Sequence, residues 1–170
     1  MKNETTRSTG TFTLKSNDLG GQFVKAQFAS ADFGGPGANI SPALHWENAP
    51  EGTQAFTVTL YDLDAPTGSG LWHWVVNNIP ASVTSLASDA GNPSHPGLPE
   101  GAVSGLNDLG VKGYVGPCPP AGELHRYQIT VYALKELLQT AETTGPALTG
   151  FMLNSMALAK ASLLVYAKQD

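Results

Sequence analysis

Along residues 56–62 apolar and polar positions alternate, with Phe56, Val58 and Leu60 on one face and Thr57, Thr59 and Tyr61 on the other. A period of two marks a β-strand with one face in the core. The same parity puts Asp62 on the apolar face, where an ionised carboxylate is costly unless paired or hydrogen-bonded. Pro66 closes the run Asp62-Leu63-Asp64-Ala65-Pro66 that follows. A second run, Leu71 to Ile79, is apolar on both faces: Trp72, Trp74 and Val76 on one, Val75 and Ile79 on the other. It reads as a central strand buried from both sides. Alternation returns at His125, which shares parity with Tyr127, Ile129, Val131 and Ala133. Thr11–Leu14, Ala43–Trp46 and Ser162–Tyr166 are shorter strand candidates.

Breakers separate these runs. Gly34-Gly35-Pro36-Gly37, Pro50-Glu51-Gly52 and Thr67-Gly68-Ser69-Gly70 are turn or loop signals. Residues 80–124 are rich in Pro, Gly, Ser and Asn and read as a long surface excursion, a place where function often resides. Two helical pieces are expected late in the chain, Leu134 to Thr140 and Pro146 to about Ala161, the second with proline near its first turn. Strands first and helices gathered at the end predict a mainly β fold. Its form is a two-sheet antiparallel sandwich with a few peripheral and C-terminal helices.

At 170 residues and 17.7 kDa the chain is long enough for one well-buried core and short for two domains. Residues 1–10 read as a loose polar segment and residues 11–170 as a single domain. A formal charge of −5 without any Lys/Arg cluster argues against nucleic acid as a partner. No apolar stretch approaches the roughly 18–20 residues of a spanning helix, so no integral membrane segment is expected. The start, Met1 to Thr6, has no apolar signal core. A cytoplasmic location is the expectation, with the periplasm as the alternative if an export signal was removed. Cys118 is the only cysteine, which rules out an internal disulfide and a thiolate metal cluster.

Acids at a strand end, with Trp72-His73-Trp74 and His125-Arg126-Tyr127 to face them, read as a binding pocket. Imidazoles titrate near 6.5, so His73 and His125 take on charge cheaply when a phosphate arrives. Asp62 suits the orientation of one imidazole, Tyr127 supplies a neutral donor, and backbone amides around Gly116 complete an anion nest. Plain structural readings stand beside these: turn capping by Asp62 and Asp64, a core histidine at His73, a strand-end residue at His125. No nucleophile-elbow serine occurs, and Cys118 sits between prolines with no neighbour in sequence to activate it. A non-enzymatic protein without cofactor or metal is therefore expected. Its alternative is an acid–base enzyme using Asp62 with His73 or His125. A metal set of Asp62, Asp64, His73 and His125 lacks compact ligand spacing.

These motifs together resemble a known family. Asn39-Ile40-Ser41-Pro42 through Trp46, Asp62 to Pro66, and His73-Trp74-Val75-Val76-Asn77-Asn78-Ile79-Pro80 resemble the first signature of phosphatidylethanolamine-binding proteins. Gly116-Pro117-Cys118-Pro119-Pro120 with His125-Arg126-Tyr127 is similar to the second. The wording around Asn107-Asp108 and Gly113-Tyr114 is similar to the bacterial Raf-kinase-inhibitor-like branch. The resemblance implies a sandwich with a small cavity for phosphate, acetate or a phosphorylated headgroup. Its ligand residues would be Asp62, Pro66, His73, Pro120, His125 and Tyr127. It admits modulation of a protein partner, in the manner of kinase- or protease-inhibiting members, and a homodimer, although no stripe identifies an interface. Leu63 stands where many members have proline, and the C-terminal region matches only weakly.

Overall fold

The computed structural model describes residues 10–170. The expected loose segment, residues 1–10, lies outside the described residues except for Gly10. Among the described residues, eight strands form two antiparallel sheets. The smaller joins β1 (Thr13–Lys15), β2 (Leu44–Glu47) and β5 (Ser85–Leu86) in the order β1-β2-β5. The larger contains β3 (Ala55–Asp62), β4 (Leu71–Pro80), β6 (Val103–Ser104), β7 (Leu124–Leu134) and β8 (Ala157–Lys168), in the order β6-β4-β3-β7-β8. One helix, α1 (Pro146–Met156), precedes β8, and short 3₁₀ turns occupy Lys25–Gln27 and Ala31–Phe33. This is the mainly β two-sheet sandwich that the alternation predicts.

The inner faces meet in one apolar cluster. Leu14, Leu44 and Trp46 of the small sheet pack with Phe56, Val58, Leu60, Trp74, Ile129 and Val131 of the large one. Trp46 meets Phe56 edge-on at 5.3 Å between ring centroids. Each such side chain, fully buried, contributes about 1.5–3 kcal/mol by removal from water. A second cluster of Tyr132, Leu134, Leu138 and Leu153 seats α1 on the sheet.

Two irregularities in the β3–β4 ladder alter the faces read from sequence. Leu60 pairs with Trp74, yet Tyr61 pairs with Trp72, so His73 is an extra residue opposite none of its own. Such a bulge re-aims side chains. Trp74 enters the core, while Trp72 packs at a tilt against Tyr61 with ring centroids 4.7 Å apart, which separates two tryptophans expected on one face. A second register shift lies at Asn77-Asn78, where Asn78 adopts φ 56°.

The helices also differ from expectation. Residues 135–140 are not helical; Leu138 is held in an irregular segment by both atoms of the Asn78 side-chain amide, at 2.8 and 2.9 Å. α1 ends at Met156, and Ala157 to Ala161 run as strand, paired with residues 131–134 of β7. Alanine-rich sequence favours helix, but here sheet pairing outweighs propensity.

Candidate functional site

Three neighbouring strands of the large sheet deliver the site. Asp62 ends β3, directly opposite Tyr127 on β7; His125 lies two residues before Tyr127 and so shares its face. The β4 bulge brings in His73 from the other side of β3. Tyr127 sits between the two imidazoles, with ring centroids 5.4 Å from His73 and 6.4 Å from His125. All four side chains are buried: Asp62 is 3% exposed, His73 and His125 4%, and Tyr127 0%.

His125 is bracketed by two carboxylates. Its Nδ1 donates to Asp62 Oδ2 at 2.8 Å, and its Nε2 lies 3.2 Å from Glu123 Oε2. The other Asp62 oxygen accepts the Asp64 backbone N–H at 2.9 Å, so both its oxygens are engaged. Burial alone would lower the His125 pKa, but Asp62 and Glu123 outweigh burial and raise it. Of the two imidazoles, His125 is the one whose surroundings favour the protonated form.

His73 is its opposite. Nδ1 donates to the Val115 carbonyl at 2.8 Å, which leaves Nε2 as an acceptor in the neutral ring. Burial lowers its pKa, and the Val115 carbonyl offsets this only in part. His73 Nε2 and Tyr127 Oη are both buried without a hydrogen-bond partner. Burial, and then the charge of nearby Asp62, raise the Tyr127 pKa, so the phenol stays an O–H. Asp62 influences that hydroxyl without closing a geometrically sound hydrogen bond to it.

A matrix of loop contacts holds this group in place. The family model described as "Phosphatidylethanolamine-binding protein" matches residues 15–168. The chain belongs to the phosphatidylethanolamine-binding protein family. The UPF0098 protein YbcL of Escherichia coli strain K12 is 47% identical over 155 residues, covering 89% of this chain and 85% of that protein. YbhB of the same organism is 43% identical over 152 residues, covering 88% and 96%. The crystal structure of E. coli YbcL, described as a new member of the mammalian PEBP family, superposes with a TM-score of 0.89. It is 45% identical over 95% of this chain and 100% of that one. A Chlamydia trachomatis homologue, CT736, gives 0.76 at 27% identity, over 94% and 98%. In general character, then, this is a binding protein of the PEBP type.

The remaining expected residues of this family member are spread more widely. Pro66 is exposed in the turn after β3, and Pro120 is exposed at the start of the turn leading to β7. Asp64 turns outward to Arg126, with Oδ2 2.9 Å from Nε and Oδ1 2.8 Å from Nη2; those bonds lower its pKa to about 2. Asp64 therefore does not join Asp62, His73 and His125 in one ligand set. The Gly116 amide is not a free nest donor either, because it donates to Asn39 Oδ1 at 2.9 Å.

Two asparagines outside the expected site residues fix the loops around this group. Asn39 grips residues 114–116 through Tyr114 O and the Gly116 N–H. Asn107 donates to the carbonyls of His73 and Gly113 and accepts the amides of Leu109 and Val111. Both fall in quoted motifs, and a polar side chain amid breakers was the available signal. Glu123 carried no signal, since only the turn places it on His125. A cleft of about 590 Å³ opens beside the site, lined by Phe23, Phe28, Tyr166, Lys25 and Lys168 among others, and by none of the six expected ligand residues. Phe23 is the partition: it lines the cleft and packs edge-on against Tyr127 at 5.5 Å.

Proposed function

We propose that this family member binds a small oxyanion, either free phosphate or the phosphorylated headgroup of a larger ligand, at Asp62, His73, His125 and Tyr127. The carrying observation is the pair of buried, unpartnered atoms His73 Nε2 and Tyr127 Oη beside an imidazole held by Asp62. An unsatisfied buried polar group costs about 1–3 kcal/mol, so such a pair is retained where a ligand meets it. The other two such atoms, the indole nitrogens of Trp46 and Trp74, belong to side chains of the apolar core. Asp62 holds the imidazolium; His125 Nε2 and Tyr127 Oη donate; His73 accepts. The group binds rather than transforms: it positions donors and holds no activated nucleophile.

Within the family we assign the chain to the Raf-kinase-inhibitor-like branch, on the wording of Asn107-Asp108 and Gly113-Tyr114. Modulation of a protein partner is the finer form of this function.

Calorimetric titration with phosphate, phosphorylethanolamine and acetate at pH 6 and pH 8 tests the reading. Binding in the wild type, weaker at the higher pH and lost in His125→Ala, supports it. No heat from the wild type at millimolar ligand overturns it.

A further inference from the structure

We infer that Glu123 is a built-in competitor that occupies the anion's place on His125 and so determines which anions the site admits. This rests on the anion-binding reading of the same site. The two carboxylates on His125 differ in kind. Asp62 is locked: its side chain is 4% exposed, and both oxygens are engaged. Glu123 is loose: its side chain is 59% exposed, and its one contact with the ring spans 3.2 Å. That is long for a charge-assisted bond, which ordinarily measures about 2.7–2.9 Å.

The backbone holds the root of this side chain while leaving its tip free. The Glu123 N–H donates to the Pro120 carbonyl at 3.0 Å, closing a turn in which Gly122 takes φ 81°. The Gly122 N–H donates to the Gln169 carbonyl at 2.8 Å and ties that turn to the end of the chain. The expected wall proline, Pro120, thus acts through its carbonyl, by aiming Glu123.

The consequence is selectivity. His73 Nε2 and Tyr127 Oη are buried and unpartnered, whereas the His125 Nε2 donor already meets the exposed Glu123 carboxylate. A simple carboxylate that displaces Glu123 exchanges one carboxylate for another and gains little. A phosphate, with more oxygens and more charge, replaces Glu123 and also reaches Tyr127 and His73. The carboxylates of Asp62 and Glu123 flank a single imidazolium, with Asp64 nearby but neutralised by Arg126. An arriving anion therefore meets an excess of negative charge until Glu123 moves.

The test uses the full chain and two substitutions on the exposed turn, Glu123→Ala and Glu123→Gln, each titrated with inorganic phosphate and phosphorylethanolamine. The His125 ring resonance is followed by NMR in parallel. Both variants should bind phosphate about two- to fivefold more tightly, the range of an ion pair with one exposed partner. The His125 pKa should fall in both. Unchanged phosphate affinity in Glu123→Ala, with wild-type binding intact, overturns the competitor and leaves the anion reading standing. So does an unmoved His125 pKa. Weaker binding of phosphorylethanolamine alone in Glu123→Ala also overturns it, by making Glu123 a partner for the ammonium. Absence of binding in the wild type and in every variant removes both readings together.

Discussion

The Nδ1 atom of His73 lies 2.8 Å from the carbonyl oxygen of Val115, and that contact determines what the other ring nitrogen offers. A carbonyl only accepts, so Nδ1 must carry the proton and a neutral His73 presents a lone pair at Nε2. A ligand that fits must bring a proton of its own. Near pH 7.5 phosphate retains a hydroxyl and sulfate does not. Phosphate should therefore bind at least about tenfold more tightly than sulfate, the cost of leaving one buried acceptor facing an anion. Equal affinities in competition calorimetry would contradict the tautomer.

Tyr127→Phe removes only an unpartnered, buried hydroxyl. Its loss should leave stability unchanged or raise it by up to about 1 kcal/mol, since nothing inside the protein bonds to it. Phosphate affinity should fall in the same variant. Urea unfolding and calorimetry on one preparation make the comparison; a marked loss of stability would mean that the hydroxyl is structural.

The two histidines should titrate on opposite sides of the ordinary value of 6.5. His125 is raised, so its contribution to stability is complete below 6.5 and fades as pH climbs through its folded pKa. His73 is lowered, so its contribution is present above 6.5 and is lost as pH falls toward its folded pKa. Ring resonances followed from pH 5 to 8.5 should show His73 titrating at the lower pH and His125 at the higher. The reverse order would refute the assignment of donor and acceptor.

Asp62 and Asp64 stand two residues apart and should respond very differently. Asp62→Ala strips the buried His125 ring of its fixed partner, leaves the Nδ1 donor unmet and should cost about 1–3 kcal/mol. The Asp64–Arg126 pair is largely solvated, so Asp64→Ala should shift the midpoint only slightly, and less at high salt. Thermal melts at low and high salt distinguish them.

Gly116 approaches the 3₁₀ turn Lys25–Gln27 so closely that a β-carbon there would lie 2.0 Å from the Gln27 carbonyl oxygen. Gly116→Ala should therefore cost at least about 1–3 kcal/mol by overpacking. It should also loosen the wall that Asn39 and Asn107 hold, seen as faster amide exchange across residues 107–116. Unchanged exchange there would separate the wall from this contact.

Period-two alternation is local, and burial of one face enforces it, so the strands bearing Asp62, His125 and Tyr127 could be read directly from the chain. The order of strands and helices pointed to the sandwich, and the short motifs, being local too, carried the resemblance to the family. Register, bulges and side-chain reach depend on partners far away in sequence. Only pairing with β3 makes His73 a bulge and sends Trp72 and Trp74 to opposite faces. Only pairing with β7 makes strand of Ala157–Ala161, although isolated alanine-rich sequence prefers helix. Asn39 clamps Gly116 across 77 residues, and Glu123 meets His125 through a turn whose hydrogen bonds involve Pro120 and Gln169. The sequence by itself determined which residues of β3 and β7 face inward and which chemistry they carry. The tertiary structure decided which ring nitrogen is bonded and which is bare, because hydrogen-bond partners are set by packing between segments and leave no periodic trace along the chain.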